Sequence, residues 1–250
     1  MLLIFIAIIS MYVCIMISMF DPKQQSALSD FFNSMPQLMS AVGMSAGAAT
    51  LIGFLSSYLY GFILLIIPLI FTIICANNLI AKYTDRGSLV SLLAAPIKRS
   101  TVAFTQMFVL LFGILVLIIY TTALEILVAN GMFPNALDIP KLLLLNLGLL
   151  GLHFFIGGIC FLFSCIFSDV KNSLTYGAGI PLIMYILQAL ANMGGNAENV
   201  KYFTFFTLFN PDNIIAYKNE AYWGISILWV AAIILFWIAI SIFSKKDLNI

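Results

Sequence analysis

Glu125, Asn146 and His153 stand out chemically, because each lies inside a long apolar run where an ionisable or strongly polar group is costly to keep. Glu125 sits in "YTTALEILVAN", about one turn from the outer end of its run. Asn146 and His153 are seven residues apart, and so fall roughly on one face of a helix. For these two the plain expectation is an interhelical hydrogen bond, worth on the order of 1 kcal/mol; the other is a place along a substrate path. Glu125 leaves two readings open, a carboxylate snorkelling to the outer interface and a carboxylate lining an exit route.

Nucleophilic chemistry has one foothold. "GMSAG", Gly43 to Gly47, matches G-x-S-x-G, and the single histidine follows it, in the order an intramembrane serine hydrolase would use. Such a reaction needs Ser45 within hydrogen-bond reach of His153. Ser45 lies in a polar, small-residue loop, "MSAVGMSAGAAT", whereas His153 belongs near mid-membrane, so the sequence does not bring them together. Cys14, Cys75, Cys160 and Cys165 all fall in apolar runs without metal-ligand spacing and read as small hydrophobes. No G-x-x-x-x-G-K-[ST] stretch occurs, so this chain cannot cradle nucleotide phosphates in the usual way.

The elements that must position these groups are membrane helices. Hydrophobic residues make up 63% of the chain and charged residues 8%, with a mean hydropathy of +1.11, too little polar surface for a water-soluble globule. A net charge of +1, with cations scattered, gives no case for nucleic acid. A spanning helix needs about 20 apolar residues to cross about 30 Å. Six runs qualify, near residues 2–20, 60–82, 101–130, 142–167, 174–193 and 223–243, which makes the chain a single all-α, polytopic membrane domain. The first run lacks the basic start and cleavage site of a signal peptide and counts as a span. With both termini cytoplasmic, the inner side carries Lys82, Arg86, Lys98, Arg99, Lys171, Lys245 and Lys246 against Asp85, Asp169 and Asp247, seven cations to three acids. The outer side carries four cations, Lys23, Lys141, Lys201 and Lys218, against six acids. That asymmetry sets the expected orientation. The outer stretch between Gly194 and Trp223 has a dense aromatic patch, Tyr202 to Phe209, expected to form short helical pieces in the outer interface or packed on its own helices.

One inner connection has soluble character. In "YTDRGSLVSLLAAPIKRS", Gly87 breaks the preceding span, Ser88 can cap a helix, and Leu89, Val90, Leu92 and Leu93 place apolar groups on neighbouring turns. Pro96 ends it, and Lys98 and Arg99 return the chain to the water boundary. A helix of two to three turns is marginal alone in water, so its leucine face needs headgroups or another protein.

These residues resemble the permease subunits of ABC-2 type transporters. "TDRGSLVSLLAAPIKRS" is similar to that family's acidic-basic-Gly-Ser/Thr turn, leucine-rich coupling helix and Pro-hydrophobic-basic exit; "MISMFD", "SDVKNSL" and "IFSKKDLNI" fit its habits elsewhere. The likeness runs along essentially the whole chain. One departure is that Met1 opens directly into a span, where family members usually begin with a basic amphipathic helix. The resemblance implies a six-helix, type V exporter-like permease fold in a bacterial cell membrane. It implies a second permease subunit, as homodimer or heterodimer, and two cytoplasmic ATPase subunits that bind the ATP and Mg, with no cofactor in this chain. It assigns ATPase coupling to Asp85, Arg86, Gly87, Ser88, Leu89, Leu92, Leu93 and Pro96, and outward transport of a hydrophobic or amphipathic cargo such as a peptide, toxin or drug. Two rivals remain: a helix that merely pins two spans at the lipid interface, and an ATP-independent secondary transporter or channel. The latter usually shows matched broken helices; Pro68 and Pro181 can interrupt spans, but no such pair is visible.

Overall fold

A computed structural model describes residues 1–20, 34–41, 50–81 and 99–246. Every regular element among them is helical: α1 (Leu2–Ser18), α2 (Pro36–Ala41), α3 (Leu51–Leu79), α4 (Arg99–Met132), α5 (Ile139–Ile166), α6 (Val170–Asn192), α7 (Pro211–Ile215) and α8 (Asn219–Lys245), with 3-10 turns at Gly195–Phe203 and Phe205–Leu208. Five helices, α3, α4, α5, α6 and α8, are long and apolar enough to cross a membrane. The chain is a multi-pass helical membrane protein.

Of the six expected spans, five are thus found; the first corresponds to α1, which is apolar but 17 residues long, about 25 Å at 1.5 Å per residue. Ile9, Val13 and Ile17, spaced by four, are buried against the bundle, while Leu3, Ile4 and Met11 point outward. The second span also starts earlier than expected. Thr50, whose hydroxyl accepts the Gly53 N–H, begins the helix at Leu51, and it continues through a π-helical stretch, Ser56–Ile63, into a regular α-helix.

The other starts follow capping chemistry. Asp138 accepts the Lys141 N–H at 3.3 Å before α5, and Asp169 accepts the Asn172 N–H at 2.8 Å before α6. Each satisfies one of the N–H groups that a helix N-terminus leaves without an intrahelical partner.

α5 is the hub, packing on α8, α3, α4 and α6 and burying more of itself than any other spanning helix. Its glycines make this possible: a Cβ on Gly151 would stand 2.7 Å from Trp229 Nε1, and one on Gly158 would stand 3.0 Å from Leu235 Cβ. One end of the bundle is basic. There the Arg99 guanidinium donates to the Lys246 carbonyl, and Lys246 Nζ donates to the Cys165 carbonyl at 3.1 Å, tying α4, α8 and α5 together. At the opposite, aromatic end, Phe20 packs edge-on against Phe54 and Phe133. The aromatic patch forms short 3-10 turns and packs in part on its own helices: Phe206 and Phe209 are buried, while Tyr202 and Phe203 are exposed. The patch is seated hard on α8, where Gly224 leaves no room for a side chain against the Leu208 carbonyl.

Candidate functional site

Seven-residue spacing puts Asn146, His153 and Cys160 in one stripe along α5. Each reaches a different neighbouring group, and the reasons are legible in the backbone.

His153 is fully buried, and its Nε2 lies 3.0 Å from the Leu64 carbonyl of α3. Proline cannot donate to the carbonyl four residues before it. Pro68, inside α3, thereby frees the carbonyl of Leu64. A carbonyl only accepts, so His153 carries its proton on Nε2 and fills the gap from across the helix interface. Pro181, inside α6, frees the carbonyl of Gly177 in the same way. There the donor is the Cys160 thiol, at 3.1 Å. The reading of Cys160 as a mere small hydrophobe is therefore corrected; it closes a proline-made gap in a neighbouring helix. The signal was present as two spacings, seven along α5 and four between each proline and its freed carbonyl, but only the fold shows that they face one another.

At the top of the stripe Asn146 joins a three-residue cluster. Tyr60, in the π-helical stretch of α3, donates its hydroxyl proton to Glu125 Oε2 at 2.8 Å. Asn146 Nδ2 lies 2.6 Å from the Tyr60 hydroxyl, 3.2 Å from Glu125 Oε2 and 3.1 Å from the Leu142 carbonyl. Glu125 is fully buried, which sets aside one of its two readings, the carboxylate snorkelling to the interface. The reason is its turn on α4: it shares a buried face with Leu117, Thr121 and Ala129 that looks into the bundle. Tyr60 escaped sequence reasoning altogether, because aromatic residues are frequent in this chain and the π-helix that aims this one carries no obvious sequence mark.

Near this cluster the aromatic end opens into a cleft of about 430 Å³. Gly61 and Leu65 of α3 form one wall; Gln188, Asn192, Thr207 and Asp212 give it polar lining. Asp212 accepts from Ser56 at 3.1 Å, and Thr207 donates to Gln188 at 2.8 Å. These bonds fix α7 and the aromatic segment to α3 and α6. Glu125, Asn146 and His153 are thus brought to one interior seam, but His153 is committed to Leu64 and does not join the cluster.

Ser45 and the coupling set, Asp85, Arg86, Gly87, Ser88, Leu89, Leu92, Leu93 and Pro96, lie outside the described residues. His153 has its Nε2 committed to the Leu64 carbonyl and its ring sealed from solvent, while its Nδ1 has no hydrogen-bond partner among the described residues. Among the described residues no three of His, Cys, Asp and Glu gather as a metal set. Compared with family models, with curated proteins and with solved structures, the chain matches none.

Proposed function

We propose that this chain is the membrane permease subunit of an ATP-driven exporter of the ABC-2 type, moving a hydrophobic or amphipathic cargo and powered by a separate ATPase. The observation that carries this reading is the sequence from Tyr83 to Ser100, in which Ser88, the leucines from Leu89 to Leu93 and Pro96 stand in the order a capped, proline-ended helix would need, between two long apolar helices. In this reading the basic end of the bundle is cytoplasmic and the segment is the handle a motor grips. Hydrolysis moves cargo only where the motor's states bias two arrangements of the membrane helices, which requires a stiff link. The bond from Arg99, at the foot of α4, to the Lys246 carbonyl at the end of α8 supports it, since a push on the segment would reach two spanning helices at once. The exposed apolar faces of α4, α6 and α8 suit lipid and a second permease subunit.

A second reading, an ATP-independent transporter, is favoured by the two proline-interrupted helices facing α5 and by the buried carboxyl beside them. One experiment separates the two. Replacing Leu89 and Leu92 with aspartate in the full complex should leave membrane insertion intact while abolishing cargo-stimulated ATP hydrolysis and transport. Undiminished transport by that variant, or by the purified chain with no ATPase attached, overturns the permease reading in favour of the second. Screening peptides and amphiphiles for stimulation of the partner's hydrolysis would then identify the cargo.

A further inference from the structure

Glu125 is the one fully buried carboxyl among the described residues, and its surroundings do not match a carboxylate. Oε2 has two donors near it, the Tyr60 hydroxyl at 2.8 Å and Asn146 Nδ2 at 3.2 Å. Asn146 has two amide hydrogens for three acceptors, so its bond to Glu125 is a shared one. Among the described residues Oε1 has no hydrogen-bond partner, and neither has Asn146 Oδ1. Among them, too, no cation answers the charge. The titratable and charged groups on the helices packed round α4 are Tyr12 and Cys14 of α1; Tyr58, Tyr60 and Cys75 of α3; Lys141, His153, Cys160 and Cys165 of α5; and Glu220, Tyr222 and Lys245 of α8. Lys141 pairs with Asp138 at 3.4 Å, Lys245 stands at the basic end, and His153 is held by Leu64. A buried carboxylate bonded through one oxygen alone, with no cation beside it, loses more in hydration than those bonds return.

The backbone that places the cluster is itself unusual. Tyr60 is placed by a π-helical stretch, a geometry concentrated at functional sites. The three residues also share one depth: Glu125 lies seven residues before the end of α4, Asn146 seven after the start of α5, and Tyr60 nine after the start of α3. At 1.5 Å per residue that is about 10 to 14 Å inside the aromatic end. The cleft there touches Gly61 and Leu65, the residues that flank Tyr60 and Leu64 along α3.

We propose that Tyr60, Glu125 and Asn146 form a proton-binding site, in which Glu125 holds a proton on its otherwise unpartnered oxygen and exchanges it with water from the cleft beside Gly61. Binding forms one Oε1–H bond as one O–H bond of a hydronium ion in the cleft breaks, leaving water, and release reverses this; nothing is oxidised or reduced. A metal cation is the less suitable occupant, because only two oxygens stand unpartnered where such ions take about six. The site does not depend on what drives transport.

Infrared spectroscopy of the full chain in phospholipid nanodiscs tests this. The expected result at neutral pH is a protonated-carboxyl carbonyl band that shifts in heavy water, disappears in Glu125→Gln and moves in Tyr60→Phe, which removes one hydrogen-bond donor. Glu125→Gln should fold, since the amide reproduces the hydrogen bonding of the neutral acid; failure to fold counts against the proposal. The unmodified protein decides the matter by itself if need be. Absence of the band means an ionised carboxylate, a band indifferent to heavy water means a sealed structural proton, and loss of the band on adding sodium or potassium at fixed pH means a metal site. Each of these outcomes overturns the proposal.

Discussion

His153 answers a deficit made by Pro68, and that relation gives the clearest residue-scale prediction. Without the imidazole, the Leu64 carbonyl is left bare in a dry interface; with alanine at 68, the helix satisfies that carbonyl by itself. His153→Leu should therefore destabilise the bundle by about 1 to 2 kcal/mol in the native background. In a Pro68→Ala background it should cost much less. A double-mutant cycle measured by unfolding in mixed micelles checks this, and simple additivity would show that the two residues are not coupled. The sequence alone displayed a histidine in an apolar run and a proline in another. It had no means of showing that the ring of one lies 3.0 Å from the carbonyl freed by the other.

Among the elements, α6 depends on its first turn. It is the least buried of the spanning helices and contains Pro181, so its N-terminal cap matters more than it does for the deeply packed α5. Asp169 accepts from the Asn172 N–H, and this bond, with further help from the Asn172 side chain and nearby Lys171, holds its carboxyl below the usual carboxylate range. A folded-state value lowered in this way stabilises fully above the ordinary carboxylate range, and the contribution is lost as pH falls through that range towards the depressed value. Protection of the α6 first-turn amides from hydrogen exchange should thus weaken on acidification. Asp169→Asn, which keeps an acceptor at the cap but cannot titrate, should remove most of that pH dependence. α5 shows the opposite strategy, holding its neighbours through side chains at 146, 153 and 160 and through close approach at Gly151 and Gly158.

For the whole molecule, the charge distribution makes a prediction about orientation. Arg99, Lys171, Lys245 and Lys246 mark one end of the bundle, and Asp138, Glu198, Asp212 and Glu220 the other. By the bias of cytoplasmic loops towards cations, single cysteines replacing Lys171 should react with an impermeant reagent only from the cytoplasmic side. Cysteines replacing Lys201 should react only from outside. Labelling of both positions from one side would reject the up-and-down course of α6 and, with it, the orientation on which the proposed permease function rests.

Composition and the lengths of the apolar runs determined that this chain is a helical membrane protein. Hydrophobic thickness is a one-dimensional constraint, and a run of apolar residues either meets it or does not. The helix starts at Asp138 and Asp169 were equally local, because a cap depends on residues three apart. The inward turn of Glu125 was decided only in three dimensions, where a helix faces according to what packs beside it. The same holds for the cluster of Tyr60, Glu125 and Asn146, drawn from three helices and separated by up to 86 positions in the chain. No local pattern encodes which distant donor will reach which buried acceptor; that is settled by the rotation of each helix about its own axis, which the packing of the whole bundle fixes.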